Sequence, residues 1–135
     1  MKILKSIFAT MILVLFVSIF SMAQSNAKVI AVVNHAEWCP TCVGNGERAQ
    51  ATFRENNKDG EIHFIVNDLS TDESKQASAD QLKKHGLLGA MKANKSTGVA
   101  YFFDAESKEL INKVSVAKTN EEIASAMKTA LKGSK

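Results

Sequence analysis

Residues 28–42 form the stretch KVIAVVNHAEWCPTC, which decides the fold. Its first half, residues 28–34, is a short apolar run rich in β-branched side chains, which is typical of a strand buried on both faces. Pro40 suits the first position of a helix, because a proline has no N–H to leave unpaired there. The stretch therefore predicts a central strand, a short loop and a helix. We expect that helix to begin irregularly, because Gly44 and Gly46 weaken its first turns.

Composition and periodicity predict five further elements along the chain. Thr119 followed by Glu122 is a capping box, which marks the start of a C-terminal amphipathic helix. The others are a second buried strand at residues 61–67, a helix at 72–85, and a hairpin of strands at 99–103 and 109–116. The order β-α-β-α-β-β-α predicts an α/β fold with a central mixed sheet of about four strands flanked by helices. We expect parallel pairing across both βα crossovers and antiparallel pairing within the hairpin.

The two cysteines of the chain, Cys39 and Cys42, have the spacing of a redox pair. A disulfide between them would close a very small ring, worth roughly 2 kcal/mol against about 3 for a fifteen-residue loop. Such a ring is a poor structural staple, but it keeps the second thiol close to a mixed disulfide formed at the first. A helix N-terminus also favours an anion and lowers the pKa of a cysteine placed there.

The stretch AEWCPTC, following a buried strand at a helix start, resembles the active site of the thioredoxin superfamily. The element order is similar to the core of that family over residues 27–132, without the extra N-terminal strand and helix of thioredoxin itself. The resemblance implies a thioredoxin-like fold and a thiol-disulfide oxidoreductase, in which Cys39 attacks and Cys42 resolves. It implies no cofactor. It leaves open whether the protein acts as an oxidant or a reductant.

The resemblance also implies a surface that meets the partner protein. Trp38, directly before the first cysteine, would be part of that surface, and the alternative is an aromatic side chain packed under the loop. The other residues that we assign to this surface by their proximity to the cysteines are Pro40, Thr41, Thr97 and Gly98.

The stretch before the third strand departs from the family pattern. Most members have a cis-proline there, whereas this chain has STGV at residues 96–99, and Pro40 is its only proline. A cis bond without proline costs about 2.5–4 kcal/mol, so we expect the bond between Thr97 and Gly98 to be trans. On this basis the substrate groove should differ from that of thioredoxin, and Gly98→Pro should move the activity toward ordinary thioredoxin behaviour.

A second departure concerns proton transfer. Thioredoxins carry a buried aspartate six residues before the first cysteine, and Val33 stands at that position here. His35 lies two residues further on, on the same strand face if the strand extends that far. It is a candidate acid or base for the thiols, and the alternative is a hydrogen-bonded histidine at a strand end. Without the aspartate, we expect slow deprotonation of the resolving thiol.

Residues 1–23 are predicted to be a secretory signal peptide. Lys2 and Lys5 precede an apolar run at residues 7–20, and the small residues Ser21 and Ala23 stand three and one positions before Gln24, which predicts cleavage after Ala23. A retained membrane anchor is the alternative, but the run is shorter than the ~20 apolar residues that a spanning helix needs. Residues 24–135 would then form one thioredoxin-like domain of a periplasmic or secreted protein.

Export has consequences for charge and partners. Disulfides form in exported compartments, so exported protein substrates and a redox partner protein are the expected partners. Lys2 and Lys5 supply two of the three net positive charges, so the mature chain is nearly neutral. No basic cluster with interleaved aromatic residues remains, which gives nucleic-acid binding little support. We expect a monomer that leaves the membrane once the signal is cleaved.

Two other classes of function remain open. Two thiolates three residues apart can hold Cu(I) or half of a zinc site, although no second CxxC or HxxxH supplies further ligands. The chain could also be a redox-inactive binding module on the same fold. Intact Cys39 and Cys42 favour the enzyme, because an unused thiol pair is a liability in an oxidising compartment.

Overall fold

The computed structural model describes residues 27–135, and every strand and helix predicted in that range is present. The predicted signal peptide and its cleavage point lie outside the described residues. No helix within residues 27–135 is long and apolar enough to cross a membrane. The elements are β1 (Val29–His35), α1 (Pro40–Glu55), β2 (Ile62–Asp68), α2 (Asp72–Lys84), α3 (Leu88–Lys92), β3 (Val99–Asp104), β4 (Leu110–Ser115) and α4 (Asn120–Gly133).

The four strands form one mixed sheet in the order β2-β1-β3-β4. β1 pairs in parallel with β2 and antiparallel with β3, and β3 pairs antiparallel with β4. The prediction of parallel pairing is therefore right for the first crossover and wrong for the second. The reason is the short helix α3, which the sequence did not predict. It carries the chain back, so that β3 starts where β1 ends, with the Gly98 N–H bonded to the Asn34 carbonyl at 2.8 Å.

Side chains of β1 are buried on both faces of the sheet, as its apolar run predicts. One face packs under α1 and α4, and its core includes Val29, Phe102 and Met127. The other face packs under α2 and α3, and its core includes Val32 and Phe103. Because both faces are covered, β1 is a rigid base for the loop that follows it.

The helices begin where their capping residues stand. At the start of α4 the hydroxyl of Thr119 accepts from the Glu122 N–H at 3.2 Å, and the Glu122 carboxylate accepts from the Thr119 N–H at 3.0 Å. The irregular start predicted for α1 is wrong, because this helix is continuous from Pro40. Packing of its buried face, which includes Ala49 and Phe53, outweighs the low helix propensity of its two glycines.

Candidate active site

Cys39 lies at the N-cap of α1, directly before Pro40 at the first helical position. Its backbone is extended, with φ −91° and ψ 111°, which turns the side chain toward the helix N-terminus. There its sulfur accepts a hydrogen bond from the backbone N–H of Cys42 at 3.4 Å. Both thiols are free, and each residue is at most 5% exposed.

The surroundings of Cys39 favour its thiolate. Burial alone would raise the pKa of this thiol, but the hydrogen bonds that it receives outweigh burial and bring the pKa below its ordinary value. The side chains of Cys42 and Thr97 contribute most, followed by the backbone N–H groups of Cys42 and Thr41. Cys39 is thus the more acidic thiol.

The surroundings of Cys42 favour its protonated form. Burial is the largest cause that raises the pKa of this thiol, and the hydrogen bond to the Cys39 sulfur raises it further. The thiol donates to the backbone carbonyl of Asn34 at a sulfur–oxygen distance of 3.8 Å. No carboxylate stands beside it on β1, because Val33 occupies that part of the strand. The pKa values of the two thiols are therefore shifted in opposite directions.

The loop before β3 contacts both cysteines. The described residues contain no cis peptide bond, so the bond between Thr97 and Gly98 is trans, as expected. Gly98 has φ +74°, and a Cβ there would lie 2.9 Å from Thr41 Cγ2 and 3.7 Å from the sulfur of Cys42. Glycine lets the loop approach the thiols this closely.

The geometry of the loop argues against the expectation for Gly98→Pro. A proline ring fixes φ near −65°, whereas this residue has φ +74°. Proline would also remove the Gly98 N–H, which donates to the Asn34 carbonyl, and its Cβ would clash with Thr41. The substitution would break the loop rather than restore a thioredoxin-like groove.

Asn34 connects this loop to the sheet, and sequence reasoning missed it. The residue is fully buried, and its amide donates to the carbonyls of Asn94 at 3.0 Å and Ser96 at 3.1 Å. Its side-chain oxygen accepts from the Asn67 amide at 2.9 Å. The available signal was a polar residue at the end of an otherwise apolar strand, followed by a second asparagine at the end of the next strand.

The remaining predicted site residues lie around the thiols. Trp38 is 63% exposed, and its ring N–H donates to the Leu69 carbonyl at 3.4 Å, so it lies on the surface rather than under the loop. Pro40 is exposed and Thr41 is half-buried against Gly98. His35 lies at the end of β1, and no hydrogen bond joins its imidazole to either thiol in the described part of the chain. Its role as an acid or base stays a prediction.

A cavity of about 520 Å³ opens beside the resolving thiol. It lies between α1 and the face of β1 and β2, and Cys42 and Gly98 form part of its wall. His35 and Val33 line it together, which places them on one strand face as predicted. No group of three or more histidine, cysteine or acidic residues that could hold a metal comes together within residues 27–135.

Several solved structures are similar to this chain. A structure described as DsbH oxidoreductase has a TM-score of 0.57 and 17% identity, covering 83% of this chain and 78% of that one. It confirms the predicted fold. Trxlp from Edwardsiella tarda EIB202 has a TM-score of 0.49 and 13% identity, and the match covers 81% of this chain and 90% of that one. Fasciola hepatica thioredoxin has a TM-score of 0.45 and 12% identity, and the match covers 88% of this chain and 93% of that one. No protein-family model and no curated protein matches the sequence.

The thioredoxin-like fold that the resemblance implies is therefore confirmed.

Proposed function

We propose that this protein is a thiol-disulfide oxidoreductase that exchanges disulfides with other proteins. The observation that carries the proposal is the opposite environment of two thiols three residues apart at a helix N-terminus. Hydrogen bonds lower the pKa of Cys39, while burial raises that of Cys42. One thiol is thus prepared to attack, and the other stays protonated until it is needed.

In the reducing direction, the Cys39 thiolate attacks one sulfur of a partner disulfide. A mixed disulfide forms, and the other partner sulfur leaves as a thiolate and takes up a proton. Cys42 then loses its proton and attacks the Cys39 sulfur, which forms the Cys39–Cys42 disulfide and releases the second partner thiol. Two electrons pass from the protein to the partner. The same steps reversed oxidise a partner dithiol.

Alkylation of the reduced protein tests the assignment of the two roles. Iodoacetamide should label Cys39 first, with a pH midpoint below the ordinary cysteine pKa of about 8.5. Cys42→Ser should accumulate mixed disulfides with partner proteins, because the resolving step is lost, whereas Cys39→Ser should accumulate almost none. Labelling of Cys42 first, or a Cys39 midpoint at about 8.5 or above, would contradict the assignment.

We also propose that the protein acts outside the cytoplasm and that its mature form begins at Gln24. The support is the sequence pattern of residues 1–23, with its positive start, apolar run and small residues before the cleavage point. Intact-mass measurement of the exported protein tests this. A membrane-bound species that retains residues 1–23 would instead make the protein an anchored oxidoreductase.

A further inference from the structure

β2 lies at one edge of the sheet, and only part of that edge is unpaired. Residues 61 and 69, at either end of β2, bond to β1 through the Glu61 carbonyl and the Leu69 N–H. Backbone groups of alternate residues in a strand point to opposite sides, and the register with β1 is unbroken. The N–H and C=O groups of Phe64 and Val66 therefore point outward, and no bond to them is found within residues 27–135.

Side chains close this edge at both ends. At the start of β2, the side-chain amide of Asn57 pairs with Ile62 as another strand would, accepting from its N–H at 3.1 Å and donating to its carbonyl at 2.8 Å. At the far end the Asp68 N–H donates to the Ser78 hydroxyl at 2.9 Å. The unpaired segment is limited to the stretch around Phe64 and Val66.

This segment borders the cavity beside Cys42. Phe64 and Val66 line the cavity from the sheet, and Val43 and Phe53 line it from α1. Val66 is 55% exposed and Val43 is 66% exposed, so apolar surface faces solvent next to the unpaired backbone. A chain laid along the edge would find hydrogen-bonding groups at its backbone and an apolar groove under every second side chain.

We propose that an extended apolar segment of the protein substrate adds to the edge of β2 at Phe64 and Val66 and places side chains in the groove that leads to Cys42. This inference rests on the proposed function, since it names how that site recognises its partner. The edge of β2 and the loop at residues 94–98, which leads into β3, lie on opposite sides of β1.

The position of the groove gives an approximate distance between this segment and the substrate cysteine. Leu69 packs in one cluster with Cys39 and Cys42, and Val66 lies three residues before it on the chain. At about 3.3 Å per residue this is roughly 10 Å of extended chain. The preferred substrate therefore carries apolar side chains about three to five residues from its cysteine.

The capped ends of the edge favour a flexible partner chain over a second copy of this protein. A second β2 is a seven-residue strand and would meet Asn57 and Ser78 at the ends of the unpaired segment. A flexible segment needs only a few residues in extended form and can leave the edge at either cap.

Matched peptides test the proposal. Each peptide carries one cysteine, which forms a mixed disulfide with 2-mercaptoethanol. A valine-rich segment lies three to five residues from this cysteine. In one set of peptides the segment is N-terminal to the cysteine, and in a second set it is C-terminal. Each is also made with N-methyl groups in that segment, which remove backbone donors and keep the side chains. We measure the rate constant for reaction with the reduced protein. N-methylation should lower it by roughly three- to tenfold in the placement that fits the edge.

Two surface variants locate the effect. Val66→Lys puts a charged chain into the groove and should abolish the difference between the methylated and unmethylated peptides. Leu110→Lys is the matched control, because Leu110 is 43% exposed on β4, at the opposite edge of the sheet, and should leave that difference intact. In the peptide complex trapped on Cys42→Ser, hydrogen exchange at the Phe64 and Val66 amides should slow.

The outcomes separate this inference from the proposed function. Equal rates for methylated and unmethylated peptides in both placements, or an equal effect of Val66→Lys and Leu110→Lys, would overturn the edge proposal. Reaction with oxidised 2-mercaptoethanol would still support the oxidoreductase. If the reduced protein reacts with no disulfide at all, the proposed function itself fails and the edge proposal fails with it.

Discussion

Thr97 acts on the attacking thiol from another part of the chain, since its side chain is among the groups that lower the pKa of Cys39. Thr97→Val keeps the shape of the side chain and removes the hydroxyl. We expect the pKa of Cys39 to rise, because one hydrogen bond to the thiolate is lost. Ultraviolet absorbance of the thiolate across pH measures this. Thr97→Ser keeps the hydroxyl and should therefore keep the original titration of Cys39. An unchanged titration in Thr97→Val would contradict the role assigned to Thr97.

The side chain of Asn34 acts on the backbone of the loop before β3 rather than on the thiols. Asn34→Leu would leave the carbonyls of Asn94 and Ser96 and the amide of Asn67 without their buried partner. Each unsatisfied group costs about 1–3 kcal/mol, so we expect the free energy of unfolding to fall by about 3 kcal/mol or more. Urea denaturation measures the loss. Asn56→Ala is the control and should change stability less, because this exposed residue makes a single local side-chain bond within residues 27–135, to the Thr52 carbonyl at 2.8 Å.

Sequence reasoning found the cysteine pair because its chemistry depends on local spacing and a helix start. It did not find Asn34, because the partners of this residue lie far along the chain and only the fold brings them together. It misjudged Gly98 for a related reason. The sign of φ at a loop residue depends on what the loop packs against, and here that is Thr41 and Cys42.

At the scale of elements, the β3–β4 hairpin depends on Asp104. Its carboxylate accepts from the N–H groups of Ser107 at 2.7 Å and Glu106 at 3.1 Å, and from that of Lys135 at 2.7 Å. The bonds from Ser107 and Lys135 are the main causes that lower its pKa to about 2. One side chain thus fixes both the turn and the end of the chain.

The stability of the hairpin should depend on pH through this carboxylate. The folded pKa of Asp104 is about 2 and the unfolded value is about 3.9. The ionised form is thus favoured by folding, so the stabilisation is present above about pH 4 and is lost as the pH falls toward 2. Asp104→Asn should lower stability at neutral pH and flatten the acid-side decline in urea denaturation. Asp80→Asn, at an exposed residue of α2, should keep the decline, and an equal decline in both variants would contradict the role of Asp104.

Most elements could be predicted from the sequence because each depends on local signals, such as the capping box at Thr119 or the β-branched run before the cysteines. α3 could not, because it spans five residues and has no side-chain cap. The direction of β3 depends on that helix, so the pairing of β3 with β1 could not be predicted either.

For the whole molecule, the fold could be predicted because one strand with two apolar faces requires helices on both sides of the sheet. The groove beside Cys42 could not be predicted in the same way. It depends on which strand lies at the edge and on how far α1 overhangs it, and both follow from tertiary packing rather than from periodicity.

The side chain of Asn57 has a consequence for solubility. An open strand edge is a template on which other chains stack, and such stacking leads to aggregation. The amide of Asn57 takes the place of a peptide group opposite Ile62, so it shortens the unpaired edge on which other strands could stack. The short edge that remains leaves room for one extended chain and little for stacked copies of β2.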